Sequence, residues 1–157
     1  MKRESALDRL DRSPVHLLHR AGQVAGDIFN AEMGNGDLTP RQLAVLMTVA
    51  HNEGLSQTGL VERTGIDRST LADIVRRMLK KGLLQRRRTR EDARAYAIRL
   101  TEEGRRMLRT AEPMAKRVDE RILDALSARQ REQFLNDLRS IVAQLSQINQ
   151  SLAGHRR

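Results

Sequence analysis

A mainly α-helical fold with one small β-hairpin is predicted for this 157-residue chain by three observations. Apolar residues recur at helical spacing in six segments. The 39% hydrophobic fraction comes mostly from Leu, Ala, Val, Ile and Met, good helix formers in the main. Only two short runs, residues 83–88 and 95–100, have strand character, and a charged link joins them.

The elements follow in order. Residues 1–12 are charged and of mixed sign, too poor in apolar side chains to pack firmly, and are expected to be a flexible lead-in. Ser13-Pro14 supplies a cap and a proline at the first helical position, and Leu17, Leu18, Ala21, Val24, Ala25 and Ile28 then mark a helix to about Met33. Residues 34–37, Gly-Asn-Gly-Asp, stop it. Thr39-Pro40 starts a second helix with an apolar face of Leu43, Leu46, Met47 and Ala50. Ser56 caps a short third helix over 57–63, Gly65 ends it, and Asp67 is placed to cap a fourth over 68–81. Leu71, Ile74, Val75 and Met78 face inward on that helix, and Gly82 closes it. After the hairpin, Thr101 with Glu102 and Glu103 opens a fifth helix, in which Pro113 predicts a kink. Near Ser127 the chain turns into a last helix whose Phe134, Leu138, Ile141, Leu145, Ile148 and Leu152 repeat as a heptad seam.

Two helices across a tight turn followed by a two-stranded wing make a winged helix-turn-helix, and this one is strongly basic. Residues 63–99 hold twelve Lys and Arg against four acids, a surplus of eight in a chain of net charge +9. Charge so concentrated selects a polyanion, since a basic patch displaces the counterions condensed on phosphate. Three aromatics, Phe29, Phe134 and Tyr96, are too few for a stacking platform, which favours duplex DNA over single strands. The short, polar first half of the fourth helix suits a major groove. Arg68, Ser69, Thr70, Asp73 and Arg76 on its outer side divide between base edges and phosphates. Ser56 and Gln57 are expected on phosphate, and Arg86, Arg87, Arg88 and Arg90 add affinity without sequence preference.

Other classes are disfavoured. No cysteine means no disulfide framework, thiolate zinc site or peroxide-sensing thiol. There is no run of eighteen apolar residues and no apolar leader, so no membrane partner is expected and the cytoplasm is the expected location. No Ser-His-Asp set or glycine-rich phosphate loop points to an enzyme, and no cofactor is implied. His16 and His19 lie one turn apart without an obvious third ligand nearby, so no metal site is expected.

Three stretches carry a resemblance: LTPRQLAVL at 38–46; LVERTGIDRSTL at 60–71 with GLL at 82–84; and DAR at 92–94 running to IRLT at 98–101. Together they resemble the MarR family of bacterial transcriptional regulators over essentially the whole chain. The resemblance implies a helical dimerisation region of residues 13–38 and 101–157 around a DNA-binding domain of residues 39–100. It implies a homodimer with Leu17, Leu18, Phe134, Leu138, Ile141, Leu145 and Ile148 at its interface, presenting two heads to a pseudo-palindromic site. It implies that Arg94 enters the minor groove, held by Asp92, and it matches Arg77 to a frequent arginine of the family. It also implies a small effector, such as an aromatic carboxylate or its coenzyme A thioester, in a cleft that His16, His19, Arg20, Arg41 and Met47 would border. The expected function is a ligand-released repressor; the alternative is a winged-helix nucleic-acid or protein-interaction module with neither sequence preference nor ligand sensing.

Overall fold

The computed structural model describes residues 6–34, 38–52, 54–88 and 96–154, with side chains from residue 9 to residue 152 of these. Two compact units divide the chain, Met1–Val118 and Asp119–Arg157.

In the first unit, α1 (Ala6–Asp11) is a short helix where a flexible lead-in was expected. Arg9 in its last turn complements the negative end of the helix dipole, and Ser13 N donates to Leu10 O at 3.0 Å as the chain turns into α2 (Pro14–Met33). Ser13 caps α2 by accepting from His16 N, and Gly34 follows it at φ +71°. Phe29 is the one described residue of α2 that the chain buries, while Leu17, Leu18 and Val24 stay 46%, 42% and 49% exposed.

Helix α3 (Pro40–His51) opens on a capping box: Gln42 N donates to Thr39 Oγ1 at 3.2 Å, and Thr39 N donates to Gln42 Oε1 at 3.0 Å. That exchange explains why Gln42, a polar residue, is buried. Leu43 and Leu46 are buried as the periodicity predicts, and Ala50 packs partly against the core. Met47 is not, being 39% exposed; Val45 and Val49 are buried instead. The reason is that α3 is contacted by α4, α5 and β2 together, so its covered arc is wider than one stripe and displaced from Met47.

Helix α4 (Gln57–Thr64) ends at Gly65, whose φ of +67° and N–H bond to Val61 O form a left-handed cap. Ile66 then packs partly against the core, and Asp67 caps α5 (Arg68–Lys80). The carboxylate of Asp67 accepts from Thr70 N at 2.9 Å and Ser69 Oγ at 2.7 Å. Hydrogen bonds from Thr70 and then Ser69, with the charge of Arg41 adding to them, hold its pKa down at about 2. Leu71, Ile74, Val75 and Met78 fill the underside of α5.

Strands β1 (Leu84–Arg88) and β2 (Tyr96–Leu100) pair antiparallel, Leu84 opposite Leu100 and Arg88 opposite Tyr96. The hairpin is anchored to the head at its base: Ile98 N donates to Leu55 O at 2.9 Å, and Leu84, Ala97, Ile98 and Leu100 are buried. Helix α6 (Glu102–Leu123) begins where β2 ends. Thr101 Oγ1 donates to Gly82 O and accepts from Gly104 N at 2.9 Å, while Thr101 N donates to Leu83 O at 3.1 Å. Pro113 lies inside α6 without ending it.

In the second unit, Ser127 hydrogen-bonds Gln130 Oε1 through N and Oγ at the start of α7 (Ala128–Gly154). No described side chain of α7 is buried; Ile141, Leu145 and Ile148 are each about half exposed. No described helix of the chain is long and apolar enough to cross a membrane.

Two outcomes follow. Alanine normally stabilises a helix over glycine by about 1 kcal/mol, yet a Cβ on Gly104 would lie 2.1 Å from the backbone oxygen of Leu83. Gly104→Ala should therefore lower the melting temperature, read by circular dichroism; an unchanged or higher value contradicts the close approach. For Asp67, the ionised form is favoured by folding, so its contribution is full above the ordinary 3.8 and fades as pH falls through about 2. Asparagine also caps well. The gap in melting temperature between wild type and Asp67→Asn should be constant above pH 5 and shrink between pH ~4 and ~2, and a gap indifferent to pH in that window refutes the assignment.

Candidate nucleic-acid interface

The outer side of α5 carries most of the residues expected at DNA. Arg68 and Ser69 are exposed, and Thr70 is half-buried at the helix start. Asp73 accepts from Arg76 at 2.6 Å and from Arg77 at 2.8 Å, with both guanidinium groups largely in solvent. The hydrogen bond from Arg76 first, and the charge of Arg77 with it, hold the Asp73 carboxyl below its ordinary pKa. Asp73, expected among the DNA contacts, thus orients two arginines in the free chain. Exposed pairs of this kind contribute little stability, so both arginines can exchange the carboxylate for phosphate.

Several hydroxyls serve the fold before they serve a ligand. Ser69 Oγ donates to the Asp67 cap, and Ser56 Oγ accepts from Gly59 N at 3.1 Å as the cap of α4. Ser56 is exposed with its own hydroxyl hydrogen uncommitted to that bond, and Gln57 stands half-buried beside it at the helix N-terminus, where backbone N–H groups attract phosphate.

On the hairpin, Arg86, Arg87 and Arg88 of β1 are all exposed. The pleat sends Arg86 and Arg88 to one face and Arg87 to the other. Arg88 lies 6.0 Å from the centroid of the Tyr96 ring across the strand pair, a cation–π arrangement that sequence inspection missed and only the register reveals. Arg90, Asp92 and Arg94 lie outside the described residues.

A second feature lies on the α2 side of the same unit. His16, His19, Arg20 and Arg41 line one open cavity of about 860 Å³ with Leu18, Gly22 and Gln23. Four of the five residues expected at an effector cleft are thereby brought together. Met47 is not among the lining residues, for the same reason that it left the core: it points away from the arc α3 shares with its neighbours. Gln23 was overlooked, although its spacing of four from His19 places both on one helix face. Imidazole, guanidinium and amide donors around an open pocket can hold a carboxylate; among the described residues no group of three or more His, Cys, Asp or Glu could hold a metal ion.

Residues 36–95 match the MarR family profile. The transcriptional regulator HosA of Escherichia coli O127:H6 is 36% identical over 106 residues, 68% of this chain and 78% of its own length. The HTH-type transcriptional repressor NicR of Pseudomonas putida is 30% identical over 127 residues, 81% of this chain and 80% of its own length. Among solved structures, PcaV of Streptomyces coelicolor, in complex with its natural ligand, superposes with a TM-score of 0.80 at 34% identity, covering 85% of this chain and 94% of that one. BpsR of Bordetella bronchiseptica, whose DNA binding is regulated by 6-hydroxynicotinic acid, gives 0.79 at 26% identity, covering 83% and 93%. With its capped recognition helix, basic hairpin and flanking long helices, this chain belongs to the MarR family of winged-helix transcriptional regulators.

Proposed function

We propose that the chain is a cytoplasmic, ligand-responsive repressor that binds a pseudo-palindromic operator as a homodimer. The observation that carries this reading is the pairing of a basic, outward-facing α5 and β1 with apolar faces on α2 and α7 that the chain leaves uncovered. One head reads only a few base pairs, so specific binding in the nanomolar range needs two, spaced by a helical turn. Residues 39–100 form the reading head, and residues 13–38 with 101–157 form the dimerisation region, Leu17, Leu18, Phe134, Leu138, Ile141, Leu145 and Ile148 supplying its apolar contacts.

In the complex, Arg68, Thr70 and Arg76 address the major groove, with Ser69 and Asp73 holding the helix start and the arginine pair in place. Ser56, Gln57 and Arg77 meet phosphates, Arg90 adds unspecific affinity, and Arg94, oriented by Asp92, enters the minor groove, where a narrow A·T-rich stretch concentrates negative potential. The effector is an aromatic carboxylate or its coenzyme A thioester. His16, His19, Arg20 and Arg41 supply donors for its anion in a pocket of a size typical for small-molecule sites. The ligand-bound PcaV and the 6-hydroxynicotinic acid response of BpsR support this class of effector, and NicR supports repression. Binding shifts the heads to a spacing that no longer fits successive grooves, weakening DNA affinity by the ligand's differential affinity for the two states.

Selection of duplexes from a random pool should recover an inverted repeat bound at least about 10³-fold more tightly than competitor DNA. Recovery of no common sequence would instead mark an unspecific winged-helix module. On the selected duplex, Arg94→Ala should cost about 1–3 kcal/mol with helical content unchanged, whereas Arg87→Ala should lower the salt slope by about 1 without relaxing sequence preference. Equal affinity for Arg94→Ala and wild type removes the minor-groove role. Leu145→Glu should convert a sedimenting dimer to monomer, and a dimer that survives it places the interface elsewhere.

A further inference from the structure

Arg41 stands between two cavities of the first unit. On one side is the cavity of His16, His19 and Arg20. On the other is a smaller one of about 410 Å³, walled by Thr39 and Gln42 of the α3 cap and by Thr70, Asp73 and Arg77 of the recognition helix. The Arg41 side chain is exposed and has no hydrogen bond or ion pair to any described residue. Its helix needs nothing from it, since the Thr39–Gln42 capping box already satisfies the start of α3. A guanidinium in this position lines both cavities and can serve either.

We propose that Arg41 is the residue that couples occupancy of the α2–α3 cavity to the recognition helix, by turning its charge from the cavity it shares with Asp73 toward an anion seated beside His16 and His19. The proposal rests on the effector reading given above and adds the route by which that effector acts. With the cavity empty, the Arg41 charge lies close enough to Asp67, the cap of α5, to favour its ionised form. It also lines the cavity that Asp73 shares, so it supplements the positive field of the face offered to DNA. A carboxylate arriving among His16, His19 and Arg20 offers the guanidinium a bidentate partner in place of water. Once Arg41 has turned to it, Asp67 loses a positive neighbour and the cavity lined by Asp73 loses a cation. The α5 face becomes more negative, and the affinity of a phosphate backbone for it falls. Coupling of this kind is reciprocal: operator DNA must weaken the anion by the same factor. Arg41 is a positioning residue here, acting on the duplex through α5.

The full chain is tested with 6-hydroxynicotinate and benzoate as probes. Probe affinity is measured by calorimetry and affinity for the selected duplex is measured with and without saturating probe. Wild type should lose about tenfold or more in duplex affinity when saturated. Arg41→Gln should take up the probe more weakly, through His16, His19 and Arg20, and once saturated should change duplex affinity by less than about twofold; Arg41→Lys, which keeps the charge, should restore much of the effect. The carboxyl carbon of Asp67, followed by NMR, should titrate at higher pH in Arg41→Gln, and in wild type when the probe is added.

A saturated Arg41→Gln that retains the full wild-type loss overturns the coupling while leaving the effector cavity standing. A variant that binds duplex more weakly by one factor with and without probe makes Arg41 a phosphate contact, and one that no longer binds probe at all makes it the anchor of the ligand; either result also overturns the proposal. If wild type binds neither probe, or His19→Ala leaves probe affinity unchanged, the cavity reading fails and this proposal falls with it.

Discussion

The approach of α6 to the backbone at Leu83 is the contact on which the reading head depends. Gly104 can sit against the Leu83 carbonyl because it carries no Cβ, and Thr101 ties the same place together through its hydroxyl and its N–H. Three elements meet there: the end of the recognition helix at Gly82, the base of the hairpin at Leu84 and Leu100, and the start of the long helix that leaves the head. The Gly104–Leu83 approach and the Thr101 N–H bond to Leu83 O are backbone contacts, so the start of α6 is held closely against the junction of α5 and β1.

Electrostatics on the head are arranged around two aspartates. Asp67 is consumed by the cap of α5, and Asp73 by two arginines that would otherwise repel each other one residue apart. On a helix with Arg68, Arg76, Arg77 and Lys80 on or near one side, Asp67 thus caps the start and Asp73 sets the positions of two of the arginines. In the proposed complex the acids hold the cations where phosphate would replace them, a substitution that counterion release favours.

The long helices have the opposite character. In α7 the polar residues satisfy one another locally, as in the Arg139–Asn136 and Gln133–Asp137 pairs, while none of its described apolar side chains is buried. Exposed Leu, Ile and Val at heptad spacing over about five turns is a large area to leave in water, at roughly 25 cal/mol per Å² of apolar surface. The same helix α2 that leaves Leu17 and Leu18 bare carries His16, His19 and Arg20 into the cavity beside Arg41. Assembly and sensing are therefore proposed to share one element, which would let an occupant of the cavity bear on the placement of the heads.

By itself the sequence determined the elements and their ends. Ser13, Thr39, Ser56, Asp67 and Thr101 are caps whose chemistry is local, and Gly65 and Gly82 are stops whose positive φ is local too, so all were legible without neighbours. The inward residues of α5 were legible as well, since that helix lies on the core by one narrow face. Tertiary structure decided what depends on several partners at once: the wide buried arc of α3 that admits Val45 and Val49 and expels Met47, the cross-strand placing of Arg88 on Tyr96, and the clamping of Asp73. It alone revealed that Gly104 is a close contact rather than a weak helix position, and that Arg41 faces two cavities. Caps and periods are properties of a few consecutive residues, whereas the space around a side chain is set by segments distant in the chain, and no spacing along one helix encodes them.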